Sequence, residues 1–260
     1  MPTHPRTTRR PGRPAGLALT LFVLGSALAA CSSGVPAAPT SNEGVVQNRA
    51  VPVASVPLID DHGRPTSLAT DRGRYVVLAP FLSLCQDECP LVTGAFLALE
   101  QDLRAAGLAR QVVLLDVTVD PGRDTPYRLA QYADRFGATW QLDTATPANL
   151  ARFWKFFGVS YQIVPEEQPA HADWLTGRPL TYDVDHTDGF ILLDRAGHER
   201  FLDASAPNLA GHLNPKLKAL LNSGGVAGLD HPAGVSWTLA DLVHDVGWLV
   251  GRSIPSGATT

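Results

Sequence analysis

The chain has 260 residues, 45% of them hydrophobic and 18% charged, with a formal net charge of -4. That length suits one sizeable domain with tails, and the composition is ordinary for a globular protein. The slightly acidic balance, with no basic run outside the extreme N-terminus, argues against nucleic acid as a partner.

Residues 1–30 read as a lipoprotein signal peptide. Arg6, Arg9, Arg10 and Arg13 give a positive start, and Leu17 to Leu28 is apolar and uncharged. That run is short of the roughly 20 residues a membrane span needs. Leu28-Ala29-Ala30-Cys31-Ser32 resembles a bacterial lipobox, which makes Cys31 the lipidated first residue of an exported chain. The implied location is the outer face of the cytoplasmic membrane. Removing the segment takes away four arginines and no acid, so the mature chain is more acidic still. Residues 31–50, rich in Ser, Ala, Pro, Gly and Asn, are expected to form a flexible tether.

From Val51 the pattern becomes globular. Tyr75 to Leu82 is a continuous apolar run that suits a buried central strand. Pro90 can open a helix, and Val92, Phe96, Leu99 and Leu103 recur at helical spacing until Gly107. Gln111 to Val119 is a second buried strand. Asp124 to Phe136 is expected to be a helix capped by Asp124, and Trp140 to Leu142 a short strand. Thr146 to Phe157 is expected to be a helix with Thr146 as cap and Pro147 in its first turn. Ile163 to Pro179 reads as a variable loop. Gly189 to Leu193 is a strand that turns at Asp194-Arg195-Ala196-Gly197 into a hairpin partner. Asn208 to Leu221 is expected to be a final helix, kinked or broken at Pro215. Gly224-Gly225 marks the expected domain end.

Strands alternating with helices indicate an α/β, thioredoxin-like three-layer sandwich with a mixed central sheet over residues 51–223. Residues 224–260 form a tail. Within it, Leu239, Leu242, Val243, Val246, Leu249 and Val250 share one helical face. The plainer expectation is that this helix packs back on the domain; the alternative is docking to a partner or a membrane surface.

With Cys31 acylated, two of the three cysteines remain. Cys85 and Cys89 flank Gln86-Asp87-Glu88, between a buried strand and a helix start. A helix N-terminus favours negative charge, so a thiolate there is stabilised. The spacing of four brings both sulfurs to one side of a turn, where they can share a soft metal ion or close a disulfide. Three intervening residues, rather than the two of thioredoxin, give room to straddle a metal. Of eight histidines, His186 stands out because it lies just before the strand Gly189 to Leu193, in the loop that in a thioredoxin-like sheet sits beside the active-site helix. Topology alone leaves His186 open between a ligand and a structural residue.

Three segments extend this reading: Cys85-Gln-Asp-Glu-Cys89-Pro90, Val117-Thr-Val-Asp-Pro-Gly-Arg-Asp-Thr-Pro126, and Asp185-His186-Thr187 with Leu192-Leu-Asp194-Arg-Ala-Gly197. In order and separation they resemble the SCO/SenC family, copper-binding thioredoxin-like proteins that assist cytochrome c oxidase assembly. The resemblance spans residues 50–222. It implies Cys85, Cys89 and His186 as ligands of Cu(I) or Cu(II), and subunit II of the oxidase as partner. It places Asp120 close to the site, beside the ligands or as a shaper of the loop. It also implies a possible disulfide-reductase role, so the alternative function is an exported thiol-disulfide oxidoreductase acting through Cys85 and Cys89. The family usually carries Pro after the first cysteine, where this chain has Gln86.

Overall fold

The computed structural model describes residues 1–4, 35–39, 44–232 and 234–257. Most of residues 1–30, with Cys31 and residues 32–34 and 40–43 of the expected tether, therefore lie outside the described residues. No helix among the described residues is long and apolar enough to cross a membrane.

The chain runs β1 (Gly44–Ala50), β2 (Leu58–Asp60), β3 (Pro65–Thr66), β4 (Tyr75–Phe81), α1 (Cys89–Ala105), β5 (Val112–Thr118), α2 (Pro126–Phe136), β6 (Gln141–Thr144) and α3 (Pro147–Phe157). It continues with β7 (Tyr161–Val164), β8 (Asp183–His186), β9 (Phe190–Leu193), β10 (His198–Asp203), β11 (Ala206–Asn208), α4 (Pro215–Lys218), α5 (Ser223–Asp230), β12 (Ser236–Thr238) and α6 (Leu239–Val250). Eight strands form one sheet in the order β1-β10-β9-β4-β5-β6-β2-β3. Strands β4, β5 and β6 run parallel, and β9, β10, β1 and β2 pair antiparallel. The result is the mixed sheet flanked by helices that the sequence predicts.

Successive strand residues point to opposite faces. All seven residues of β5 and the last six of β4 are buried, so both faces of the sheet centre are covered. Such strands read as unbroken apolar runs because no face meets water. Helix α1 is nearly as buried, with twelve of its seventeen residues out of solvent. The sheet lies against one side of it, and residues of α4, α6 and β11 pack on it as well.

Several boundaries differ from the sequence reading. Residues 44–50, expected in the tether, form edge strand β1 against β10, because Arg49 pairs with the buried Glu199. Helix α2 is capped by Thr125, not Asp124; the buried Asp124 carboxylate instead accepts from the Ser83 amide and the Thr118 hydroxyl. The helix expected from Asn208 to Leu221 is reduced to Pro215–Lys218, with Asn214 as cap and Pro215 in the first turn. Pro lacks the amide that an interior position needs, so it opens this helix rather than kinking a longer one.

The boundary at Gly224 is also corrected. Leu229, Trp237, Leu242 and Val246 are fully buried in the same core as the sheet. The Trp237 ring sits edge-on to Phe190 at 5.2 Å, and its Nε1 donates to the Ser205 carbonyl. Helix α6 packs back on the domain, and a Thr238–Asp241 capping box fixes its start. Two glycines at a supposed boundary lie in the first turn of α5 here, and the following chain carries its own large apolar residues to the core.

Candidate metal centre

Strand β4 ends at Phe81, and the loop 82–88 delivers Cys85 and Cys89 to the start of α1. No side chain from the preceding residue caps this helix. Instead the Cys89 amide donates to Cys85 Sγ at 3.3 Å. A helix start leaves such amides without backbone partners, so a sulfur bearing negative charge is well placed there. Both cysteines are free thiols, 8% and 2% exposed.

His186 closes the group from the far side of the chain. It ends β8, which pairs with β7, and its Nε2 lies 3.3 Å from Cys89 Sγ. Nδ1 sits 2.9 Å from the Thr187 carbonyl, which can only accept, so Nδ1 carries a proton and Nε2 is turned to the sulfurs. The turn into β9 depends on Gly189. Its φ is +100°, and a Cβ there would lie 1.8 Å from the Asp203 carbonyl oxygen. Any side chain would push β8, and His186 with it, away from β10. The ligand-capable atoms of Cys85, Cys89 and His186 all lie within 4.8 Å of one another.

The two sulfurs are not equivalent. The hydrogen bond from Cys89, then the hydrogen bond and charge of His186, hold the Cys85 thiol well below its ordinary value despite burial. Burial pushes Cys89 the other way, and the neighbouring Cys85 charge adds to the effect. Burial opposes charge on His186, but the hydrogen bond and charge of Cys85 raise it to about 9. The nearest hydrogen-bond contact of Nε2 is Cys89, while the charge that raises its basicity resides on Cys85. Of the two sulfurs, Cys85 is the one whose surroundings favour the charged form, and Cys89 the one held as a thiol.

Acidic groups that the sequence reading did not assign to the site surround it. Burial, with the charges of Asp188, Cys85 and Asp87, pushes Glu88 up to about 8. Burial likewise lifts Asp188 to about 6, against the charge of His186. Asp87, Glu88 and Asp188 line one side of a cleft of about 580 Å³ whose other wall includes Gly224, Gly225 and Gly228. Their signal in the sequence is plain in hindsight: two lie inside the cysteine motif and one lies two residues after the histidine. Cys85 itself opens on a second cleft of about 280 Å³, lined by Gln86, Arg135, His171, Trp174 and Lys216 among others.

The loop expected over Ile163 to Pro179 does cover the motif. Its first residues belong to β7, the buried Glu166 accepts from Gln86 Nε2 at 3.3 Å, and Trp174 Nε1 donates to the Ser83 carbonyl at 2.7 Å. Asp120 contacts Arg123 and accepts from the Tyr182 hydroxyl. Arg123 also stacks on the Tyr182 ring and donates to its carbonyl. Asp120 thus reaches His186 through the chain segment entering β8, not by touching a ligand.

Two thiols and one imidazole, buried and converging, suit a soft or borderline metal ion, and imidazole with thiolate is a donor set that copper accepts in either oxidation state. Fold and site together define a thioredoxin-like protein with a dithiol–imidazole centre. The chain belongs to the SCO1/SenC family, whose model matches residues 48–210. It is similar to a Stutzerimonas stutzeri protein named for copper binding, at 27% identity over 172 residues, covering 66% of this chain and 72% of the relative. It is also similar to the mitochondrial SCO2 homolog of Bos taurus, at 27% identity over 203 residues, covering 74% of this chain and 73% of the relative. Among solved structures, Bradyrhizobium japonicum ScoI with copper bound aligns with a TM-score of 0.48 and 21% identity, covering 71% of this chain and 97% of that one.

Proposed function

We propose that this protein binds copper through Cys85, Cys89 and His186 and serves the assembly of cytochrome c oxidase, delivering copper to its copper site or preparing the thiols there. The observation that carries the reading is the convergence of the three donor atoms within 4.8 Å in a buried site. Membership of the SCO1/SenC family and the copper-binding name of the Stutzerimonas relative support it. Copper is cargo in this reading. Soft thiolates favour Cu(I), and the imidazole extends the set to Cu(II). The recipient we assign is subunit II of the oxidase. The lipobox-like sequence at Cys31 supports attachment to the outer face of the cytoplasmic membrane.

A second reading rests on the asymmetry of the sulfurs. The Cys85 thiolate can attack a partner disulfide and form a mixed disulfide, releasing one partner thiolate. Cys89, once deprotonated, then displaces the second partner thiolate and closes the Cys85–Cys89 disulfide. Two electrons pass to the partner, and an external thiol must restore the dithiol. The two roles share the reduced state and can succeed one another in one assembly event.

Cu(II) loading of the reduced chain tests the main reading. A sulfur-to-copper charge-transfer band is expected, altered in Cys85→Ser and in Cys89→Ser and absent when both are replaced. His186→Ala is expected to weaken copper binding by at least about 10–100-fold, the loss that removing even a group behind a ligand typically brings. Unchanged affinity in that variant sinks the three-ligand site. Full-rate reduction of a model disulfide by wild type and His186→Ala alike, without copper binding, would favour the second reading. Cys31→Ser should move the protein from the membrane to the soluble fraction; unchanged fractionation removes the anchor.

A further inference from the structure

We propose that Asn222 and Gly225, at the start of α5, form a latch that sets the shape of the Cys85–Cys89 loop. The inference rests on reading those cysteines as the working site. The latch lies beyond residue 210, where the family match ends.

The contacts are made to the loop backbone. The Asn222 amide donates to the Gln86 carbonyl at 2.9 Å, and Asn222 Nδ2 reaches Asp87 Oδ2 at 3.4 Å. The same side chain caps α5, accepting from the Gly225 amide at 2.7 Å. A Cβ on Gly225 would lie 2.4 Å from the Gln86 carbonyl oxygen and 3.0 Å from Asp87 Cα. One on Gly224 would meet Asp87 Oδ1 at 2.9 Å. The helix therefore approaches so closely that no side chain fits between it and the loop.

Glycine inside a helix costs about 1 kcal/mol relative to alanine. Helix α5 carries three, and the geometry separates them. Gly228 meets nothing within 4 Å, whereas Gly225 abuts backbone, which cannot swing aside as a flexible side chain can. Position 86 explains what the contact accomplishes. A proline after the first cysteine would stiffen the loop through its fixed φ. Gln86 leaves φ free, and the loop is held from outside, through its carbonyl by Asn222 and through its side chain by Glu166. Held in this way, the two sulfurs stand as free thiols facing His186. Releasing the latch lets them close on each other.

The test compares Gly225→Ala with Gly228→Ala in the full, metal-free chain. The equilibrium between dithiol and disulfide is read in glutathione redox buffers, with a thermal melt alongside. Gly225→Ala should shift the equilibrium at least fivefold toward the disulfide, and Gly228→Ala should stay within twofold of wild type. A Gly225→Ala variant that tracks Gly228→Ala overturns the latch. If Gly225→Ala fails to fold, Asn222→Ser decides, since its hydroxyl keeps an acceptor for the Gly225 amide, loses the donor to Asp87 and adds no charge beside the loop. A shift of at least threefold with a retained melt supports the latch, and an unchanged equilibrium overturns it. Because the readout needs no copper, a chain that binds none would defeat the copper reading and leave this test intact.

Discussion

The segment that carries the chemistry and the segment that follows residue 210 are built on opposite terms. In the first, β4, the cysteine loop, α1 and β8 bring three polar ligands together, surrounded by acids that burial makes uncomfortable. In the second, α5, β12 and α6 contribute Leu229, Trp237, Leu242 and Val246, all fully buried, and little chemistry of their own. Yet α1, which bears Cys89, is sandwiched between the sheet and this second segment. Gly94 of α1 faces Leu213, Leu209 and Leu217, with a hypothetical Cβ only 2.6 Å from the first. The motif thus marks where reaction happens and says nothing of where the domain ends. A helix buried on nearly all sides needs cover on both, and here the cover comes from residues that no motif announces.

The largest effect expected from breaking this comparison is at Trp237. Its ring is 1% exposed, packs on Phe190 and anchors Ser205 through Nε1. Trp237→Ala removes that volume and leaves the Ser205 carbonyl unpartnered, which should cost about 3–5 kcal/mol in denaturant unfolding of the full chain. A loss below about 1 kcal/mol would make the second segment an appendage, and the contrast drawn above would fail.

The comparison also explains what could be read in the sequence. Elements buried on both faces, β4 and β5, were legible because water contact nowhere interrupts their apolar runs. Helix α3 was legible because Thr146 and Pro147 mark its start locally, and both act as read. The cysteine pair was legible by spacing, whereas His186, 97 residues away from Cys89, stood out by topology but became a ligand only through resemblance to a family. What escaped depended on distant partners. Asp124 resembles a cap, but Ser83 and Thr118 claim its carboxylate across the fold. Gly224-Gly225 resembles a linker because a glycine chosen for close approach to another backbone looks the same as one chosen for freedom. Residues 44–50 look like tether because an edge strand exposed on most of its surface has no apolar pattern to show.

A smaller effect tests the covering loop on the site side. Arg128 grips Asp173 with two hydrogen bonds of 2.9 and 2.7 Å, both side chains being nearly buried, and the next residue, Trp174, reaches the Ser83 carbonyl. Arg128→Met should cost about 2–3 kcal/mol, since it strands a carboxylate in a poorly hydrated place. The hydrogen bond from Arg128 holds the Asp173 carboxyl well below the usual range. A depressed carboxyl stabilises the fold above its unfolded value, near 3.9, and that stability is lost as pH falls further. The deficit of the variant should therefore be full at pH 7 and shrink below about pH 4. A deficit constant from pH 7 to pH 3 would show that packing, not the ion pair, holds the loop.

The smallest effect sharpens the comparison from the other side, because the second segment carries one strained charge that the site does not use. Asp245 of α6 is buried, touched by His244 Nδ1 at 3.0 Å, and also feels the charges of Asp241 and Asp203. Burial raises it to about 6 despite His244. A raised carboxyl contributes its stability below the unfolded value and loses it as pH climbs to the folded one. Wild type should thus lose stability at this residue between about pH 4 and pH 6, and the neutral Asp245→Asn should not. The variant is expected to be about 1–2 kcal/mol more stable than wild type at pH 7.5, with little difference at pH 4. Its dithiol–disulfide equilibrium should match wild type at both, because Asp245 acts on the fold and not on the loop. If that equilibrium moved with the stability, the two segments would be coupled through α1, on which α6 packs, as well as through the latch at Asn222 and Gly225.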